Sequence, residues 1–324
     1  MNFRSVADLN HAIVSGLVRL PRDIDVIAGI PRSGMLAANL VALHLNLPLT
    51  DLSGLIDGRL MHSGKRCSGH GARIPERAKV LVVDDSVWSG AALQQARQRI
   101  AEANLPYDIR FAAVYCRAGT ERQVDFCFES ITGIRVFEWN VMHHDWLLSQ
   151  TCMDIDGVLC VDPTDEENDD GPRYAAFLRD ALPNQLPSVP VRWLVTCRLE
   201  KYRAQTEDWL HRHGVQFGEL VMMDLPDAKT RRAAGNHAGF KAEVYRSKGA
   251  ELFIESDERQ AQEIASISGL PVLCLTTRQM AYPDTLSYLP ANAERRVRQL
   301  ARKVKKLPER VARRVLKFDP PRGR

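Results

Sequence analysis

Two carboxylate constellations in this chain of 324 residues have the spacing of working groups. Asp84 and Asp85 follow four apolar residues, Val80 to Val83, and precede a run of small residues, Ser86 to Gly90. Asp154 and Asp156 stand two apart in the segment CMDIDGVLC, which begins at Cys152. A small-residue turn that opens a helix attracts an anion to its free backbone amides. Adjacent carboxylates would repel that anion, so Asp84 and Asp85 suit hydroxyl groups or a metal ion beside it. Carboxylates at i and i+2 past a strand end can share one Mg²⁺. One can then attack phosphorus while the other protonates the leaving oxygen.

These groups need strand ends to hold them. Val80 to Val83 reads as a buried parallel strand, with a helix starting at about Ala91. Upstream, Asp25 to Ile30 reads as a strand, followed by Pro31, Arg32, Ser33 and Gly34 and a helix from Met35 to about Leu45. In an open α/β sheet ligands bind beyond the carboxyl ends of the strands, where both turns fall. Val6, Leu9, Ile13 and Leu17 fit one face of an N-terminal helix. Ile109 to Cys116 and Ile134 to Phe137 read as further strands, Trp139 as a core residue, and His143, His144 and Asp145 as a linker rather than a metal site. In the second half, Val191 to Thr196 reads as a strand ending in a hydroxyl. Lys241 lies in GFKAEVY, and Leu252 to Ile254 leads into Glu255, Ser256 and Asp257.

The stretch from Val80 to Leu93 resembles the ribose-phosphate motif of type I phosphoribosyltransferases, and GIPRSG resembles that family's pyrophosphate loop. The resemblance implies that Asp84 and Asp85 engage the ribose hydroxyls of phosphoribosyl pyrophosphate (PRPP). Ser86, Ser89 and Gly90 then lie in the loop around its 5-phosphate, and Arg32, Ser33 and Gly34 meet its diphosphate. It implies Mg²⁺ bridging diphosphate and ribose oxygens. It makes Asp51 to Arg77 a hood over the site, from which Lys65 and Arg66 reach the diphosphate. Many relatives share the hood between two copies, so a homodimer is expected. Ala92 stands where the family commonly carries Thr, which removes one hydroxyl from the phosphate cradle.

The second half resembles the haloacid dehalogenase (HAD) superfamily, whose first motif reads Asp-x-Asp-Gly. That resemblance makes Asp154 the nucleophile of an aspartyl-phosphate and Asp156 the general acid/base. Thr196 would bind the phosphoryl group, and Lys241 would neutralise charge there, with Lys229 a weaker candidate. Asp154, Asp156, Glu255 and Asp257 would hold Mg²⁺, Glu255 standing where Asp is commoner. Only some 35 residues separate the first two motifs, which leaves little room for a large cap.

Composition fits two soluble α/β domains. Hydrophobic residues make up 45%, and no run of 18 apolar residues occurs. The N-terminus carries Arg4 and Asp8 and lacks the apolar core of a secretory signal. Seven cysteines without Cys-x-x-Cys spacing read as reduced thiols of a cytoplasmic protein. The net charge of +4 conceals an asymmetry. Residues 291–324 hold 13 Lys/Arg against 3 Asp/Glu, and the remainder holds 31 against 37. This basic, amphipathic tail suits an anionic surface: lipid headgroups, glycan or nucleic acid.

The expected architecture is therefore α/β: two Rossmann-like parallel-sheet domains and a basic helical tail. A type I phosphoribosyltransferase domain spans 1–145, a HAD-like hydrolase domain 150–285, and the tail 291–324. The expected function is PRPP-dependent, orotate-phosphoribosyltransferase-like transfer to an unidentified acceptor, coupled to hydrolysis of the 5-phosphate. The rival is a PRPP- or nucleotide-sensing first domain attached to an active phosphatase. A third reading keeps only the phosphatase.

Overall fold

Alternating apolar strands and helices organise each half of the chain around its own parallel sheet. The computed structural model describes residues 1–61 and 72–283. Lys65, Arg66 and the basic tail lie outside the described residues. The chain divides into two units: Met1–Ser149 with Leu186–Pro190, and Gln150–Gln185 with the chain from Val191 onward.

The first unit runs β1 (Asn2–Arg4), α1 (Val6–Gly16), β2 (Val26–Gly29), α2 (Gly34–Leu45), β3 (Leu49–Asp51), α3 (Leu52–Ile56), β4 (Lys79–Val87), α4 (Ala91–Glu102), β5 (Asp108–Arg117), β6 (Phe126–Ile131), β7 (Arg135–Phe137) and α5 (Asp145–Leu148). Its main sheet has the order β3-β2-β4-β5-β6, and every pairing is parallel. Side chains alternate across the strands. Ile27, Leu81, Val83, Ala112 and Val114 pack under α1 and α2 on one face. Val26, Ala28, Val80, Val82, Phe111 and Ala113 pack on the other with Leu52, Leu55, Leu93 and Ala96 of α3 and α4. Because both faces are covered, the central strands are apolar without a break, as the sequence VLVV suggests.

Two expectations change here. Ser86 belongs to β4 rather than to the loop. Pairing with β5 continues through Ser86↔Tyr115 and Val87↔Cys116, so the turn is only Trp88 to Gly90. The strand expected at Ile134 to Phe137 does form, but outside the main sheet. It pairs in parallel with β1, so the N-terminus closes over that part of the unit.

The second unit runs β8 (Thr151–Met153), α6 (Pro172–Asp180), β9 (Val191–Leu199), α7 (Arg203–Arg212), β10 (Phe217–Met223), α8 (Ala228–Ala234), α9 (His237–Lys248), β11 (Leu252–Glu255), α10 (Glu258–Ser268), β12 (Val272–Cys274) and β13 (Gln279–Ala281). The strand order is β10-β9-β8-β11-β12-β13, and only the last pairing is antiparallel. Cys152, Val195, Phe253 and Val272 pack against Ala242 and Tyr245 of α9 and Ile264 and Ala265 of α10. β8 lies at the centre, with β9 and β11 beside it, so the C-terminal ends of three adjacent strands face one crevice. The six described cysteines are all unpaired. Among the described residues, no helix is long and apolar enough to cross a membrane.

Candidate active sites

In the first unit, the β2–α2 turn meets the end of β4. Ile30 donates its backbone N–H to the Val83 carbonyl (3.0 Å), which draws the turn over the strand. Gly34 opens α2 against Asp84. A Cβ there would lie 2.8 Å from Asp84 Oδ1 and 3.0 Å from the Val83 carbonyl oxygen, so only glycine fits without displacement. Ser33 donates its hydroxyl to Asp85 Oδ1 (2.9 Å). The other Asp85 oxygen accepts from Trp139 Nε1 (2.9 Å). The two sequence motifs, some 50 residues apart, thus share one hydrogen-bonded junction.

Asp84 is buried, and its Oδ1 accepts from the Asp85 backbone N–H (2.9 Å). Loss of water, and then the neighbouring Asp85 charge, push Asp84 up to about 8. Arg32 is exposed in its turn. Gly90 caps α4 in the left-handed conformation (φ +86°), and Ser89 Oγ accepts weakly from the Ala91 N–H (3.4 Å). The N–H groups of the first α4 turn face an anion approaching that loop.

An aromatic and basic wall completes this site. Trp139 stacks on Phe137 (4.7 Å between centroids, 6° between planes), and Phe137 stacks on Tyr115. The expectation of a core role for Trp139 is half right: the ring packs, but its N–H serves Asp85. The Arg135 guanidinium lies over Trp88 (4.8 Å) and Phe137 (5.4 Å), and Arg117 also lies over Trp88 (4.6 Å). Burial lowers the Arg135 pKa against the pull of Asp85 and Asp84. Arg135 and Trp88 went unnoticed in the sequence; a Trp directly after a carboxylate-bearing strand was the available signal. His143 Nδ1 meets the Ser188 hydroxyl (2.9 Å), and His144 caps α5 by accepting from the Leu147 N–H.

In the second unit, Asp154 follows β8 directly, and Gly157 makes the next turn at φ +74°. Asp154 is buried. Its Oδ1 accepts from the Ile155 N–H (2.8 Å), and its Oδ2 from Lys241 Nζ (2.6 Å). Lys241 lies inside α9, 2% exposed, and also donates to Glu255 Oε2 (2.7 Å) and Gln260 Oε1 (3.1 Å). Burial would lower the Lys241 pKa, but Asp154 and Glu255 outweigh it and hold the ammonium firmly charged. Burial pushes Asp154 up to about 7; Lys241 opposes that shift, and Glu255 and Asp156 add to it. Asp154 and Glu255 thus share one buried ammonium. Thr196 is buried inside β9, which runs on to Leu199 instead of ending at this hydroxyl as expected; its Oγ accepts from the Arg198 N–H (3.2 Å). Lys229 is exposed on α8.

Asp156 lines the same cleft but is held by a different cation. Its carboxylate takes a fork from Arg198, Nη2 to Oδ1 at 2.6 Å and Nε to both oxygens at 3.1 Å. Arg198 is fully buried, and Cys160 Sγ lies 3.3 Å from its Nη2. Burial works against the guanidinium charge, and Asp156 overcomes it, so the Arg198 pKa rises. Sequence reasoning missed Arg198. The signal was a charge inside an apolar strand, VTCRL, which demands a buried partner.

The expected shell of four carboxylates around Mg²⁺ does not form from the side chains as placed. Asp154 and Glu255 hold Lys241, Asp156 holds Arg198, and Asp257 Oδ1 caps α10 by accepting from the Gln260 N–H (2.7 Å). Among the described residues, no three Asp, Glu, His or Cys side chains converge as metal ligands do. The carboxylate oxygens of Asp154 and Glu255 are of the hard-donor kind that Mg²⁺ takes. Asp154, Asp156, Asp162, Ser256, Asp257, Lys241, Arg231 and His237 line one cleft of about 270 Å³ at these strand ends.

Residues 3–146 match the family model described as Phosphoribosyl transferase domain and form a domain of that type. Curated proteins yield no significant match. Among solved structures, the purine phosphoribosyltransferase of Pyrococcus horikoshii is 18% identical, covering 43% of this chain and 95% of that one, with a TM-score of 0.32. The Helicobacter pylori xanthine-guanine-hypoxanthine phosphoribosyltransferase is 17% identical over 43% and 93%, with a TM-score of 0.33. Leishmania donovani UMP synthase is 15% identical over 42% and 28%, with a TM-score of 0.28.

Proposed function

We propose that this phosphoribosyltransferase-type domain transfers ribose 5-phosphate from PRPP to a small acceptor, and that the second unit is a HAD-like hydrolase which removes the 5-phosphate. The observation that carries the first half is the junction of Ser33 and Gly34 with Asp85 and Asp84, inside the segment matching the family model. The observation behind the second half is Lys241 bound between Asp154 and Glu255. The division at 1–145, 150–285 and 291–324, and the orotate-like acceptor, belong to this proposal.

In the transfer, Asp84 and Asp85 accept from the ribose hydroxyls, and the turn at Ser89 and Gly90 receives the 5-phosphate. Arg32, Ser33 and Gly34 face the diphosphate, together with Lys65 and Arg66 of the hood. The bond from C1 to pyrophosphate breaks, and a bond from C1 to the acceptor forms. Mg²⁺, held at the Asp84–Asp85 end and again at Asp154 and Glu255, would neutralise phosphate charge when bound. In the hydrolysis, an Asp154 oxygen attacks phosphorus and the ester P–O bond breaks. Asp156 gives the leaving oxygen its proton, then takes one from the water that cleaves the aspartyl-phosphate. Thr196 holds a phosphoryl oxygen, and Lys241 keeps the Asp154 carboxylate charged and oriented. Arg198 is a positioning residue for Asp156.

Wild type and Asp154→Asn, each incubated with PRPP, Mg²⁺ and a small-molecule cell extract, test this by mass spectrometry. A ribosyl adduct from wild type and a phosphoribosyl adduct from Asp154→Asn support both steps. If Asp154→Asn accumulates no phosphorylated product, the coupling fails. A second reading, a PRPP-sensing first domain, draws on Ala92 in the first turn of α4, where a hydroxyl would complete the phosphate cradle. PRPP binding without pyrophosphate release would favour it.

A further inference from the structure

The cleft beside Asp154 contains a buried cation that hydrolysis as proposed does not use. Arg231 of α8 is 7% exposed and lines the cleft. Its partners are neutral: Nη1 donates to the Cys197 carbonyl (3.1 Å) and Nη2 to Asn168 Oδ1 (2.9 Å). Its Nε is buried without a hydrogen-bond partner. No carboxylate forms an ion pair with it among the described residues, whereas the other buried cations, Lys241 and Arg198, are both paired. His237, at the start of α9, also lines the cleft, and its Nε2 is likewise buried without a partner. A buried guanidinium with an unused N–H and uncompensated charge is costly unless an anion answers it.

Arg231 enters this cleft from α8, whereas Lys241 enters it from α9. The charges acting most strongly on Asp154 are Lys241, Glu255 and Asp156. Arg231 acts on Tyr174 and His237 and, with Lys241, Asp154 and Glu255, on Cys197. Burial, followed by the Arg231 and Lys241 charges, lowers the His237 pKa, so its ring is neutral and can donate one N–H to an anion.

We infer that Arg231, with His237 beside it, is a specificity subsite for a second anionic group on the substrate. The hydrolase unit then takes phosphomonoesters whose leaving group itself carries a phosphate or carboxylate. This inference rests on the phosphomonoesterase reading above and narrows its substrate class. One charge-assisted bond of this kind discriminates by on the order of tenfold to a hundredfold.

The full chain with Mg²⁺, supplied with fructose 6-phosphate or fructose 1,6-bisphosphate, tests it by phosphate release. Wild type is expected to prefer the bisphosphate in kcat/KM by roughly tenfold or more. Arg231→Gln should abolish that preference while leaving the monophosphate rate within about threefold, and Arg231→Lys should restore part of it. No preference in wild type overturns the inference. So does an equal loss on both substrates in Arg231→Gln, which would put Arg231 on the reacting phosphoryl group or in the fold. If wild type hydrolyses neither sugar phosphate, calorimetry decides the subsite, and the phosphatase reading stands or falls on the Asp154→Asn test above. Tighter bisphosphate binding that Arg231→Gln removes supports the subsite, and equal affinities overturn it.

Discussion

Replacing Asp84 by Asn should stabilise the first unit, and increasingly so as pH rises. Asp84 is buried, and its proton is held up to about 8 against an ordinary 3.8. The folded state therefore binds a proton that the unfolded state has already released. Stability is largest below the unfolded value and falls as pH rises towards the folded one. Each pH unit in that window costs at most ~1.4 kcal/mol, giving an upper bound of ~4 kcal/mol at pH 7 and under ~2 kcal/mol at pH 5. Asn keeps the shape and the acceptor for the Asp85 N–H but carries no proton to lose. Allowing for relaxation around the site, a gain of ~2 kcal/mol at pH 7 is expected, or roughly 4–8 °C in the melting of a unit this size. Thermal and urea unfolding of full-length wild type and Asp84→Asn at pH 5, 6, 7 and 8 measures it, with PRPP binding expected to be lost in the variant. If the variant melts no higher than wild type at pH 7, or if its advantage does not grow between pH 5 and 7, the account of Asp84 is wrong.

Other perturbations separate the remaining contacts. Gly34→Ala pushes a Cβ against Asp84 Oδ1 and the Val83 carbonyl and should cost ~1–3 kcal/mol in urea unfolding; unchanged stability would show that the turn yields freely. Lys241→Met leaves Asp154 and Glu255 buried without their cation and should destabilise the second unit by ~3–5 kcal/mol at pH 7. Part of that loss should be recovered as pH falls and the carboxylates protonate, which unfolding at pH 5 and 7 would reveal. Arg198→Lys keeps the charge but loses the fork on Asp156. Phosphate release should fall about tenfold or more, with an altered pH profile; an unaltered profile counts against a positioning role.

Contiguous features were legible in the sequence. The apolar run before Asp84 and the segment CMDIDG announce buried strands that end in carboxylates, because a strand covered on both faces has almost no room for polar residues until it emerges. Lys241 was legible only through the HAD resemblance, and its bonds to Asp154 and Glu255 come from the packing of α9. Contacts set by topology were not legible. Trp139 reaches Asp85 across 54 positions because β7 leaves the main sheet to pair with the N-terminus, and nothing local to Trp139 records that. Arg198 reaches Asp156 because β9 lies beside β8, an order that the chain does not spell out. The partners of the four acidic residues expected around Mg²⁺ were not legible either: two hold Lys241, one holds Arg198 and one caps α10.

Both Asp85 oxygens have partners before any ligand arrives: Ser33 on one side and Trp139 on the other. A hydroxyl that docks there exchanges one hydrogen bond for another, so its net affinity is small. An analogue lacking that hydroxyl leaves no orphaned carboxylate behind, since Ser33 and Trp139 stay in place. Among the described residues Asp84 accepts from one backbone N–H and otherwise meets only the Asp85 carboxylate, so it should punish a missing hydroxyl more. The two neighbouring aspartates would thus differ in tolerance, one lenient and one strict towards deoxy sugars.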